Sequence, residues 1–599
     1  MTGSNQTNLT FQAVIVILVI VFIILSLYKE WVGPAMTFVI AVVVLGIFQI
    51  LEPAEVIHGF ANEQLAIIVM LLVLGDIFRK VSTMEGFFGK IFQNTKNVKN
   101  FVARMMFMVF PISAFINNTP LVAVMMPIVH TNAKKFHFPL SKILIPLSFA
   151  AIIGGNITLI GTSTNLIVNG MLAEQKIIPN AEILHFFDFT PVGLTMAVLG
   201  TIYMVFWGVK KLPSHENIMD SIPSLHRNYV VEARLKTGSH LIGKTISEAG
   251  LKNLQGLTVV EVLRENMRIT AVPQDMLLME EDILLFTGDT NSIEDFVKNY
   301  NGFELPSLGM FSRKEDAKMY EIVIAYNSPL IGKSLKEIKF RAQYDASVMA
   351  LFRNGEAIVN QINSEPLRAG DALLLLTGSY FEQRTKEVTE FILVSGNKKK
   401  DKIKASKSIY LYIGFMAVVI LASFGIVKFF NGLLMLLSAL VIFKVVNPKS
   451  IIKSIDFQLV LIIALALSLG TAMLKSGVAE IFADGLLSVL KPMGKVAVLA
   501  GIYLLTSILS AVISVRASSA IIFPIAMTMA LTLQTNHIPF VLTVAFAASA
   551  NFMTPMGYQT NLMVYGPGNY KFKDYLRVGI PLTVLYFLVT IGILSWLYF

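Results

Sequence analysis

The chain of 599 residues predicts a polytopic α-helical membrane protein: an inverted repeat with two re-entrant hairpins, plus a cytosolic α+β insert of two similar modules. Three observations predict this. Apolar runs of about 18 residues, long enough to span a bilayer, recur toward both ends; residues 11–28 and 34–51 carry no charge. Gly161-Thr162-Ser163-Thr164-Asn165 returns as Gly557-Tyr558-Gln559-Thr560-Asn561, and upstream of each, Met126-Pro127-Ile128 is matched by Phe523-Pro524-Ile525. The polar middle carries its own repeat, Leu241-Ile242-Gly243-Lys244 against Leu330-Ile331-Gly332-Lys333.

Composition agrees. The chain is 55% hydrophobic and 15% charged, with mean hydropathy +0.67. Its net charge of +10 gathers in loops between spans, so it signals topology and no nucleic-acid partner. With no cysteine, disulfides, thiolate metal sites and cysteine nucleophiles are excluded. Residues 1–10 lack the basic start of a cleaved signal peptide.

The first membrane repeat covers 1–212. Arg79, Lys80, Lys90, Lys96 and Lys99 mark one cytoplasmic loop, and Lys134, Lys135 and Lys142 the next. The apolar stretch 101–129 between them must therefore enter and return on one face, with its tip at Asn117-Asn118-Thr119-Pro120. Such backbone is tolerated only where protein or water lines it. The next span starts near Ile143, breaks at 154–165 and exits near Glu174. Glu174, Glu182 and Asp188 form an acidic outer loop, and 190–208 returns to Lys210-Lys211.

The insert divides into modules at 213–317 and 318–406. Asp282-Ile283-Leu284-Leu285 pairs with Asp371-Ala372-Leu373-Leu374, and Arg264 with Arg353, all at one offset. Short β-type runs around the turns Glu265-Asn266 and Asn354-Gly355 predict hairpins. Lys398-Lys399-Lys400 agrees with a cytoplasmic position. Gly238 to Thr245 fits the phosphate-loop pattern, but no alternating βαβ sequence surrounds it.

The second repeat, 407–599, runs inverted. Lys444, Lys449 and Lys453 lie inside, 456–474 crosses outward, and 496–533 is a second hairpin opening outside with its tip at Ser514-Val515-Arg516. The broken span 540–565 ends inside at Lys571, Lys573 and Arg577. The expected count is ten spans and two hairpins, with both termini outside. Broken helices at matching depth in inverted halves are the layout of alternating-access transport.

The deep spans hold no Asp or Glu, which argues against proton relay and against a cation as cargo. What remains is neutral oxygens, amides and free backbone. Helix N-termini there attract anions, and carbonyl ends with Asn and Thr oxygens suit Na⁺. The plainer reading, that Gly, Thr and Asn only pack helices, explains one cluster better than four paired ones. The histidines, among them His185, His226 and His240, are scattered without ligand spacing. No nucleophile–base pair stands out, so an enzyme is not expected.

These motifs resemble the divalent anion:sodium symporter family, which carries sulfate, succinate, citrate and similar anions. That family has Ser-Asn-Thr at each hairpin tip and a closing Pro-Ile, matched here by Asn117-Asn118-Thr119 with Pro127-Ile128, and by Ser514 with Pro524-Ile525. The resemblance implies that Asn117, Asn118 and Gly161 help hold a first sodium ion. It implies that Asn118, Thr119 and Thr162 contact the anion, completed by Ser514, Gly557, Tyr558 and Gln559. Ser163, Ser518 and Thr560 join the substrate candidates; Asn165, Gly557 and Asn561 join the metal candidates. No organic cofactor is implied; a homodimer in the cytoplasmic (inner) membrane with an elevator-like motion is. Residues 228–390 resemble a tandem of TrkA-C modules, the ligand-sensing ends of bacterial potassium-uptake regulators, which implies regulation by a cytosolic ligand such as a nucleotide.

The second tip departs from the family. Val515 cannot ligate Na⁺, and Arg516 is an ionised residue deep in apolar sequence, costing about 2.5–3.5 kcal/mol on insertion scales. Its guanidinium either replaces a second Na⁺ or binds the substrate as a fork. The expected function is import of a divalent oxyanion, sulfate ahead of a C4-dicarboxylate, driven by sodium. The alternatives are a sodium-independent exchanger or uniporter, and a transporter-like sensor.

Overall fold

The computed structural model describes residues 11–29, 31–79, 92, 95, 97–175, 177–179, 181–214, 229–251, 257–264, 267–270, 273, 275–288, 302–304, 318–325, 328–353, 356–358, 362, 364–377, 380–385, 388, 390–394, 405–448, 451, 455 and 457–599. Lys80, Lys90, Lys96, His226, Lys398 to Lys400, Lys449, Lys453, Asp456 and the two insert turns lie outside them.

Six described helices are long and apolar enough to cross a membrane, and a seventh candidate is a pair bent by 72° near Gly477. Five further apolar helices are shorter, such as Pro34–Ile47 and Phe429–Ile442. The expected ten crossings are therefore not ten long helices; breaks and turns cut several into pieces.

The two halves repeat one arrangement. In the first, Val98–Ser113 joins Asn118–Lys135 through four residues, followed by Leu144–Gly155, an irregular stretch, and Ser163–Glu174. In the second, Lys495–Val512 joins Val515–Thr532, followed by Ile538–Ser549, an irregular stretch, and Gln559–Tyr565. Local chemistry sets these ends. Asn97 and Ser514 cap their helices by accepting from Asn100 N and Ala517 N. Pro539 begins a helix where its missing N–H costs nothing. Val478–Leu490 was not expected: it follows the left-handed Gly477 (φ 74°) and exposes Glu480 and Asp484 while burying Val478, Ala479, Ala483 and Leu487.

The insert folds as two antiparallel sheets. The first contains β1 (Tyr229–Leu235), β2 (Leu257–Arg264), β3 (Met267–Thr270), β4 (Ile283–Gly288) and β5 (Phe303–Glu304), in the order β3-β2-β4-β1-β5. The second contains β6 (Lys318–Ile324), β7 (Ala346–Arg353), β8 (Glu356–Ile358), β9 (Ala372–Thr377) and β10 (Phe391–Leu393), in the order β10-β6-β9-β7-β8. Strand for strand the order is the same. Each carries a bulge at the matching place and a forked Arg–Asp pair, Arg264–Asp282 and Arg353–Asp371, both at 2.7 Å. In the phosphate-loop look-alike, Thr245 bridges Leu277 and is followed by turn, not by the helix that a phosphate cradle needs.

The second sheet is buried on both faces. Tyr320, Ile322, Leu351, Leu373 and Leu375 form its own core, while Val323, Phe352, Ala372 and Leu374 join the core of the helical body. Contact is closest at two glycines. A Cβ on Gly566 would lie 2.6 Å from the Gly370 carbonyl, and one on Gly370 (φ +82°) would lie 2.8 Å from Leu562. Leu562 belongs to Gln559–Tyr565, so this module rests on the short helix that begins at the repeated motif.

Two predictions follow from this contact. Gly566→Leu should lift the sheet from the body at a cost of about 1–3 kcal/mol, seen as faster hydrogen exchange in β9 with unchanged exchange in β4. Glu321 is fully buried on β6, and burial raises its carboxyl from 4.5 to about 8. The folded state therefore binds the extra proton, and stability declines as pH rises from 4.5 to 8. Thermal unfolding of Glu321→Gln should lack that decline.

Candidate functional site

Each hairpin is tied to its own broken span by a serine. Ser113 Oγ donates to the Ala151 carbonyl at 2.7 Å, and Ser510 Oγ to the Ala548 carbonyl at 2.8 Å, across the same separation of 38 residues. Each irregular stretch is closed by an asparagine: Asn165 Nδ2 donates to Thr158 O and Asn561 Nδ2 to Thr554 O, both at 3.1 Å over 7 residues. Neither serine was read from the sequence as functional, although Ser113-Ala114-Phe115-Ile116 and Ser510-Ala511-Val512-Ile513 repeat there.

The halves meet at Tyr558. With the Asn118 carbonyl turned toward it, the Tyr558 hydroxyl donates to Asn118 at 2.7 Å, and the Asn118 nitrogen donates to Ser113 Oγ (2.8 Å), Ala151 O (3.0 Å) and Gly161 O (3.3 Å). Thr162 Oγ1 lies 3.1 Å from the same hydroxyl. Thr119 Oγ1 donates to Gln559 Oε1 at 2.9 Å. Ser148, another residue the sequence did not flag, lies 2.8 Å from Thr560 Oγ1 and 2.7 Å from Asn561 Oδ1. So Asn118, Thr162 and Tyr558 form one bonded group and Thr119 and Gln559 a second beside it in sequence, and together they make a polar network that joins residues 440 positions apart.

Other candidates sit beside the network. Asn117 caps its helix toward Thr119 N. Ser514 caps the second tip, and Ser518 Oγ bonds back to Val515 O. Ser163 opens its helix without a side-chain bond among the described residues. Arg516 is half-buried in the first turn of Val515–Thr532, and its charge acts on Tyr558. Among the described residues it has neither an ion pair nor a hydrogen bond. A cation in a helix's first turn opposes the helix dipole, so two features there favour an added anion.

Carbonyls gather at Gly161. A Cβ on it would lie 2.5 Å from Gly155 O and 2.8 Å from Ser113 O. In the same break the Oδ1 of Asn165 is fully buried without a partner among the described residues. Uncharged oxygens without a competing donor are what a hard cation such as Na⁺ requires. The metal candidates Gly557 and Asn561 occupy the matching break of the other half. No group of three or more His, Cys, Asp or Glu that could hold a metal occurs among the described residues.

A multi-pass helical body with a polar network joining two repeated halves defines a membrane transport protein rather than an enzyme. The chain belongs to the CitMHS citrate transporter family, whose profile matches residues 18–530 and 432–599. It is 32% identical over 594 residues to an uncharacterized transporter of Synechocystis, covering 97% of this chain and 96% of the relative. It is 30% identical over 556 residues to a putative sulfur deprivation response regulator of Chlamydomonas reinhardtii, covering 91% and 94%. It is 23% identical to sodium/sulfate cotransporter 1 of the same alga, covering 96% and 89%.

Tyr558→Phe should leave the buried Asn118 amide short of a partner, costing about 1–3 kcal/mol. Isothermal titration with the transported anion should show affinity down roughly ten- to hundredfold.

Proposed function

We propose that the protein imports a divalent oxyanion, sulfate in preference to a C4-dicarboxylate, driven by sodium. The observation that carries this is Arg516: a guanidinium unpaired among the described residues, beside a network of neutral oxygens and amides. A fixed positive charge among Asn118, Thr119, Thr162, Tyr558 and Gln559 suits a compact anion, which Arg can grip through two parallel N–H donors. The sodium/sulfate cotransporter among the relatives supports the same cargo and the same coupling ion.

In this reading, the residues that fit Na⁺ are the carbonyls of Ser113 and Gly155 at Gly161, with Asn165, beside Asn117 and Asn118. The ion would lend positive charge to the anion pocket and lower the cost of burying a dianion. The helix pairs 98–135 and 495–532 are re-entrant from opposite faces, so that access alternates between the two sides. The insert lies in the cytoplasm, both termini lie outside, and two copies pair in the inner membrane. The TrkA-C-like modules bind a cytosolic ligand, such as a nucleotide, and bias one state.

Arg516 also favours a second reading, a sodium-independent exchanger or uniporter in which its charge replaces coupling. Uptake of labelled sulfate into proteoliposomes, with and without an inward sodium gradient, separates the two. Sodium-dependent uptake competed by sulfate more strongly than by succinate supports symport; uptake indifferent to sodium overturns it. Arg516→Ala should abolish anion-induced stabilisation in a thermal-shift titration, whereas loss of a structural bond alone would leave it intact.

A further inference from the structure

We propose that only the first half binds a coupling cation, because the second half fills the equivalent place with the side chain of Asn551. This rests on the sodium-coupled reading above. The matched serines set the register. Five residues after Ser113 and Ser510 stand Asn118 and Val515, and six after stand Thr119 and Arg516. Six residues before Gly161 and Gly557 stand Gly155 and Asn551.

An amide has changed sides between the halves. In the first, Asn118 supplies it from the hairpin, and Gly155 makes room: a Cβ on Gly155 would lie 2.5 Å from that amide. In the second, the hairpin carries Val515, and the amide comes from Asn551 on the broken span, packed so tightly on Gly557 that a Cβ there would collide with it. The exchange decides which oxygens stay free. Asn551 Nδ2 donates to Ser510 O at 3.1 Å, the counterpart of Ser113 O. Asn561 Nδ2 donates to Asn551 O at 2.9 Å, and Asn561 Oδ1 faces the Ser148 hydroxyl at 2.7 Å. Its counterpart, Asn165 Oδ1, has no partner among the described residues. The second cluster is thus saturated by N–H and O–H donors, which repel a cation, and Arg516 adds a like charge at the position that Thr119 holds in the first half.

The test is a sodium titration of the purified full chain at constant ionic strength with K⁺ as replacement, read as thermal shift and repeated for sulfate uptake. The wild type should respond with a Hill coefficient of about 1, since that coefficient cannot exceed the number of sites. Asn165→Ala should remove the sodium response altogether. The double variant Asn551→Gly/Val515→Asn, which gives the second half the residues of the first, should raise the coefficient toward about 2. A wild-type coefficient clearly above about 1 overturns the inference while leaving sodium coupling standing. A sodium response in Asn165→Ala with the wild-type midpoint also overturns it, and does not depend on the double variant folding. A wild type indifferent to sodium overturns the coupled reading and this inference with it.

Discussion

A helix interrupted inside a bilayer strands backbone groups that water cannot reach, and each must find a partner in protein. That constraint organises the structure. Two helices break at matching places in the repeat, and each of these two breaks is stitched by a side chain from the neighbouring hairpin or from a few residues away. Ser113 and Ser510 reach Ala151 and Ala548; Thr158 reaches Ala114; Asn165 and Asn561 reach back to residues 158 and 554. The hairpin tips and the broken spans cannot be separated without orphaning these groups. The candidate site is therefore the place where two stitched units face each other, and Tyr558, Gln559 and Ser148 bond them together.

Duplication supplied the stitches twice, but the copies have been put to different use. Where the first half presents Asn118 and Thr119 to the opposite break, the second presents Val515 and Arg516. In the first half the amide comes from the hairpin, through Asn118; in the second, where the tip carries Val515, it comes from the broken span, through Asn551, which bonds Ser510 O. That exchange is one feature seen at two positions, 515 and 551. It frees the second tip to carry a full charge instead of a network of neutral dipoles. In the proposed symport of a dianion, one half would then supply fixed positive charge and the other exchangeable positive charge.

Much of this was legible in the sequence. Asn, Gly and Thr inside otherwise apolar runs mark places where a helix cannot continue, and the helices do stop beside them, at 114–117, 156–162, 513–514 and 550–558. Repetition made the pairing of halves visible. Other features were hidden for physical reasons. A serine in an apolar helix commonly bonds its own preceding turn, as Thr506 does to Ile502; nothing local tells Ser113 or Ser510 apart from it. Asn551 lies outside the repeated motif, and its meaning depends on Val515, 36 positions earlier in the chain. Val478–Leu490 was missed because its apolar face is narrow and its other face charged. The packing of the second module did leave a trace. Ala372-Leu373-Leu374-Leu375-Leu376 is apolar without alternation, the pattern of a strand covered on both faces.

That covered strand bears on how a soluble insert can govern a membrane site. Gln559–Tyr565 is only seven residues long. At its start Tyr558 and Gln559 hold Asn118 and Thr119; at its end Leu562 and Gly566 lie under Gly370 and Ala372. Two turns of helix are stiff, so displacement at one end is displacement at the other. Interiors packed at this density shift between discrete arrangements instead of deforming gradually. In the proposed regulation, a ligand that favoured one packing of the second module would thereby favour one arrangement of the tyrosine network. By linkage, an anion that favoured that arrangement would tighten the ligand in return.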